Sequence, residues 1–126
     1  MSLRSPLGRV RGLGSAKSGT EHFWAQRVTA VALIPLTLWF VYSVLALGAA
    51  DHAAASAWMQ SPVNAVLLLV LIVATFHHLQ LGMQVVIEDY VHVEGVKIAA
   101  LVIVKGGSLL LGVAAAFAVL KVSFGG

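Results

Sequence analysis

Three apolar stretches, each close to the length that crosses a bilayer as a helix, leave this chain few residues for anything else. They run from about Val28 to Ala49, from about Val63 to Ile87 and from about Ile98 to Leu120, where roughly 20 residues suffice to span the hydrocarbon. Of the 126 residues, 60% are hydrophobic and 10% charged, with a mean hydropathy of +0.94. A soluble domain of this size could not hide that much apolar surface in its own core. Lipid offers backbone N–H and C=O groups no water, so each stretch must satisfy its own and is expected to be helical. The predicted fold class is an all-α membrane protein with three transmembrane helices, at about 28–49, 63–87 and 98–120. Residues 21–126 form one membrane domain and residues 1–20 a tail.

The charge pattern gives an orientation. The net charge is +3 and the pI about 9.7, but the basic residues flank apolar helices, so nucleic acid is not expected as a partner. Arg4, Arg9, Arg11, Lys17 and Arg27 precede or open the first span. Lys97 opens the third, and Lys105 lies in its first turns. The connection from Ala50 to Pro62 has no Lys or Arg, and its charged residue is Asp51. By the positive-inside rule the N-terminus and second connection face the cytoplasm, and the first connection and C-terminus face outward. Lys121 is a single basic residue on the outer side. The tail is rich in Ser, Gly and basic residues and lacks acids. It reads as an unfolded or partner-bound cytoplasmic segment, with a short transit peptide as the alternative. With no cysteine, disulfides, thiolate metal sites and iron–sulfur ligation by this chain are excluded.

Local signals refine the spans. Pro35 removes a backbone donor inside the first and is expected to bend it. Ser61-Pro62 reads as a cap and first turn of the second. Val91 to Val96, with Gly95, reads as a short loop. Gly106, Ser108 and Gly112 offer small surfaces for close helix contact in the third.

The chemistry concentrates in the second span, which carries His78, Gly82, Asp89 and Tyr90 on a largely apolar background. At 100° per residue, the eleven residues from His78 to Asp89 bring the side chain back to within roughly 20° of one face, about 16 Å further along the axis. An unsatisfied polar group in hydrocarbon costs several kcal/mol, so a histidine at this depth needs a partner. That partner is either a neighbouring helix or a metal, with haem iron the most plausible metal. Gly82, one turn on, leaves room for a flat macrocycle or equally for another helix. His77 competes with His78 for the role but is rotated by about 100°, and Gly82 and Asp89 share the face of His78. The remaining histidines, His22, His52 and His92, lie near the interfaces, so a second axial ligand would have to come from another subunit. Tyr90 and Asp89 fit either a quinone site, phenol to carbonyl with a carboxylate beside it, or an aromatic-belt tyrosine next to a solvated acid. Arg27 either meets a haem propionate or simply sets topology.

His78-x-x-x-Gly82-Met83-x-x-Val86-x-x-Asp89-Tyr90 resembles the second helix of the small hydrophobic anchor, or D subunit, of succinate dehydrogenase. Gln26-Arg27-Val28-Thr29-Ala30 resembles the Arg-x-Thr-Ala start of that family's first helix, and the likeness extends from about Glu21 to Lys121. The resemblance implies half of a two-subunit haem-binding helical bundle in a complex with a flavoprotein subunit, an iron–sulfur subunit and a second membrane anchor. Haem b would be shared between the anchors, with His78 as this chain's axial ligand and Gly82 packing against the group. Tyr90 and Asp89 would bind ubiquinone, and Arg27 and His22 would lie near the haem propionates. Glu21-His22 stands where some family members have His-Asp. The chain alone would not be an enzyme, and its setting would be a bacterial inner membrane, with the mitochondrial inner membrane as the alternative. A reading from a different class is a non-redox membrane subunit, a transporter or assembly component, using its histidines for proton relay or helix packing.

Overall fold

A computed structural model describes residues 6–7 and 18–126. Most of the predicted tail therefore lies outside the described residues. Helix α1 spans Ser18–Leu47, α2 His52–Gln60, α3 Pro62–Tyr90 and α4 Glu94–Ser123. No strand occurs among the described residues. The three long helices, of 30, 29 and 30 residues, are each long and apolar enough to cross a membrane, in agreement with the all-α, three-span expectation.

Several boundaries differ from the sequence reading, each for a local reason. Helix α1 starts at Ser18 rather than near Val28, because Glu21-His22-Phe23-Trp24 contains no breaker and continues the turn even though it is too polar for mid-bilayer. It passes through Pro35 without interruption and stops at Gly48, whose φ of +52° ends the helix while its N–H still bonds Val44 O at 3.0 Å. That left-handed position favours glycine, the usual residue just past a helix end. The first connection is itself helical. The Asp51 carboxylate accepts from Ala54 N–H at 2.9 Å and caps α2, a helix start inside the stretch that hydropathy marks only as a connection. Pro62 does open α3, but Ser61 makes no side-chain cap bond there. The second connection shortens to residues 91–93, since Gly95 lies in the first turn of α4.

Helix α3 packs against both α1 and α4, whereas α1 and α4 scarcely touch. The three spans thus form a row with α3 in the middle. The core is thin: the buried apolar residues are Leu68, Ala74, Leu81 and Ile87 on α3 and Val119 on α4. Most other large apolar side chains, such as Leu45, Ile103 and Leu110, are exposed on the chain's own surface. Small residues set the α3–α4 contact. Ser108 is buried, and a Cβ on Gly112 would lie 3.6 Å from the Phe76 ring. Gly106, expected in the same role, faces open space.

Helix α2 ties one end of the row together. Trp58 stacks on Trp39 of α1, with ring centroids 5.5 Å apart and planes at 24°. Asn64 Nδ2 of α3 donates to Trp58 O at 2.9 Å, and Ser123 Oγ of α4 donates to Met59 O at 3.0 Å. The other end has only the three-residue connection 91–93.

The Gly112 contact yields a graded expectation. Gly112→Ala adds a methyl at ordinary van der Waals distance and should leave the apparent Tm of the detergent-solubilised protein close to wild type. Gly112→Leu must displace Phe76, at a cost of about 1–3 kcal/mol, and should lower the Tm in the same thermal assay.

Candidate functional site

A cluster of polar side chains lies along the α1–α3 seam. On α1 they are His22, Gln26 and Thr29, spaced i, i+4 and i+7, which places them on one face of a helix. On α3 they are His78 and, one turn on, Gly82. His78 lies about 24 Å along α3 from Pro62 and about 18 Å from Tyr90, well inside a hydrocarbon layer of about 30 Å. Its ring is half-buried, and its Nδ1 lies 2.9 Å from Thr29 Oγ1. Thr29 Oγ1 also lies 2.7 Å from Ala25 O and 3.1 Å from Gln26 O, to which it donates. With Nδ1 engaged, Nε2 is the nitrogen left for a further partner, and it makes no hydrogen bond among the described residues.

Gly82 faces α1: the nearest atom to a Cβ there would be Gln26 Nε2, at 3.9 Å. Of the two uses the sequence left open for this glycine, the described residues display the helix contact. Gln26 Oε1 and His22 Nε2 are buried and have no hydrogen-bond partner among the described residues. Such atoms cost about 1–3 kcal/mol each unless something outside the chain satisfies them. His22 lines a cavity of about 600 Å³ with Glu21, His77, Gln84, Glu88 and Lys105. The cavity lies over α3 in the trough between α1 and α4, and it places the start of α1 at the same end as the close of α3.

The two adjacent histidines are separated by their surroundings. His77 is exposed, lines this cavity and two smaller apolar ones of about 350 and 260 Å³, and makes no hydrogen bond among the described residues. His78 turns toward α1. Asp89 and Tyr90 are the last residues of α3, both exposed, with Tyr90 at 77%. They do not line the cavity that holds His22. The structure therefore brings His78, Gly82, Thr29, Gln26 and His22 together and leaves Asp89 and Tyr90 at the helix end. Arg27 is exposed and its guanidinium lies 4.6 Å over the Phe23 ring. Among the described residues no three His, Cys, Asp or Glu side chains cluster to hold a metal ion on their own. A metal at His78 would have to complete its ligand set from elsewhere.

The residue that sequence reasoning missed is Thr29. The readable signal was the His22–Gln26–Thr29 stripe along one face of α1, since polar residues inside membrane spans face protein rather than lipid.

The fold and site define a three-span helical membrane protein with one histidine held at depth by its own neighbouring helix. The sequence places it: residues 1–120 match the succinate dehydrogenase/fumarate reductase transmembrane subunit family, and the chain belongs to that family. It is 36% identical over 107 residues to the succinate dehydrogenase hydrophobic membrane anchor subunit of Rickettsia bellii, covering 85% of this chain and 86% of that one. It is 33% identical over 86 residues to the subunit of the same description from Paracoccus denitrificans, covering 68% of this chain and 67% of that one. The succinate dehydrogenase membrane anchor subunit of Reclinomonas americana is 29% identical over 92 residues, 71% of this chain and 77% of that one. No solved structure matches. The transporter or assembly-component reading has no counterpart among these relatives.

Proposed function

We propose that this chain is the non-catalytic membrane anchor of a succinate:quinone oxidoreductase. In this reading it holds the flavoprotein and iron–sulfur subunits on the membrane, supplies one axial ligand to a haem b shared with a second anchor, and forms part of the ubiquinone site. The observation that carries the reading is His78. Its Nδ1 is occupied from within the chain, and its Nε2 has no partner there. That donor set fits a group ligated by one imidazole from each of two chains, and it does not fit a metal held by this chain alone. The bound haem would supply a one-electron carrier at the junction of the two anchors.

The chain's own residues have distinct tasks. His78 presents the imidazole Nε2. His22, with its buried and unpartnered Nε2, and Arg27 are the donors suited to the carboxylates of the bound group. Tyr90 and Asp89 are exposed at the end of α3, open to a site completed by partner subunits. There the phenol O–H would donate to a quinone carbonyl, with the Asp89 carboxylate beside it. The basic residues at that end, Arg27, Lys97 and Lys105, support a cytoplasmic placement in a bacterial inner membrane by the positive-inside rule.

Three tests follow from these assignments. His78→Ala should abolish or strongly reduce the b-type bands of a reduced-minus-oxidised spectrum of the complex, while His77→Ala should largely keep them. Loss only in His77→Ala would reassign the ligand. Because the chain has no cysteine, Ala53→Cys on α2 should react with an impermeant thiol reagent added from outside, and a cysteine at Val93 should be protected. The opposite pattern would invert the topology. Tyr90→Phe keeps the ring and removes the hydroxyl. A hydrogen bond to a polarised oxygen contributes about 1–3 kcal/mol, so quinone-linked turnover should fall about 5- to 150-fold while dye-linked succinate oxidation holds. Equal losses in both assays would indicate faulty assembly instead.

A further inference from the structure

We infer that Thr29 is the positioning residue for His78, fixing the Nδ1-protonated tautomer and leaving the Nε2 lone pair as the ligating face. This rests on the reading of His78 as an axial ligand. Thr29 Oγ1 lies 2.7 Å from Ala25 O. Two oxygens at that distance repel unless a proton lies between them, and a carbonyl has none to give. The single hydroxyl proton of Thr29 is therefore committed to the backbone of α1, with Gln26 O at 3.1 Å as a secondary acceptor. Toward His78 the hydroxyl has only lone pairs. At 2.9 Å from Nδ1 it must accept, so Nδ1 carries the hydrogen. A neutral imidazole has one N–H, which leaves Nε2 as the lone-pair nitrogen.

Two consequences bear on ligation. The back-bond holds the β-branched Thr29 side chain in one rotamer, so the ring of His78 is aimed by a group that is itself fixed to a helix backbone. The relay from Nδ1–H to Oγ1 and from Oγ–H to the Ala25 carbonyl also polarises the ring and makes Nε2 a stronger donor, the usual effect of an acceptor behind a metal-bound histidine. His77 makes no such bond among the described residues, so nothing there fixes its tautomer.

Thr29→Val and Thr29→Ser separate the hydroxyl from the shape of the side chain. Both are made in the assembled complex, purified in mild detergent, and compared by haem content and by redox titration of the b-type bands. Valine keeps the branching and removes the acceptor. It should preserve subunit composition, weaken haem retention about 10- to 100-fold and shift the midpoint potential upward, because a less basic imidazole favours ferric iron less. Serine should restore both values. Unchanged retention and potential in Thr29→Val, or a Thr29→Ser complex that behaves like Thr29→Val, would overturn the assignment. If the valine complex does not assemble, the wild-type ferric complex decides. Electron–nuclear double resonance should show a strongly hydrogen-bonded exchangeable proton on the axial imidazole of this chain, and a weakly bonded one would overturn the proposal. Retention of the b-type spectrum in His78→Ala would instead remove the underlying reading, and Thr29 would lose its role with it.

Discussion

The bond between Thr29 and His78 joins two elements that otherwise meet through small and apolar groups. Inside a bilayer, water cannot take over an unmet hydrogen bond, so polar side chains on one helix dictate which face of the next must be opposite. The His22–Gln26–Thr29 face of α1 can lie only against a part of α3 that answers it. His78 answers Thr29, and Gly82 yields space to Gln26. This pairing sets the rotation of α1 about its own axis, and that rotation in turn fixes which apolar side chains face outward. The α3–α4 contact obeys a different rule, close approach at Gly112 and a buried Ser108, where packing rather than hydrogen bonding selects the register.

The polar seam is only partly closed from within. Gln26 Oε1 and His22 Nε2 remain buried without partners among the described residues, one and two turns from Thr29 toward the start of α1. Unmet atoms gathered at this end of α1 are groups left for something outside the chain to satisfy. That place adjoins the large cavity lined by His77, Gln84 and Lys105, on the side of α3 that neither α1 nor α4 covers.

Much of this architecture is written plainly in the sequence. The three spans are legible because length and hydropathy alone decide whether a segment crosses a bilayer. The pairing of His78 with Gly82 and Asp89 along α3 follows from helical pitch. What was less legible depended on contacts between elements. Helix α2 is only nine residues long, too short to stand out by periodicity, and it is held by partners that arrive from afar in sequence: Trp39, Asn64 and Ser123. Thr29 gives no warning on its own, since a threonine in a membrane helix commonly bonds its own backbone. Only the opposing helix reveals that its oxygen has a second task. The start of α1 was misplaced because hydropathy reports where lipid begins, not where the helix does. The predicted separation of His77 and His78 by a quarter turn is visible in their surroundings, one exposed in the trough and one turned toward α1.

The thin core has a consequence for the life of the molecule in its cell. With buried apolar residues, among those described, confined to Leu68, Ala74, Leu81, Ile87 and Val119, this chain keeps little folding free energy for itself, and its folded stability depends on whatever covers the remaining surface. A copy made in excess of its companions differs from an assembled one by what it leaves uncovered, including the unmet polar atoms near the start of α1. Such a copy is the one a membrane protease would remove first. Subunit balance can thus be kept by degradation, without matched synthesis, because the orphan state is legible on the molecule's own face.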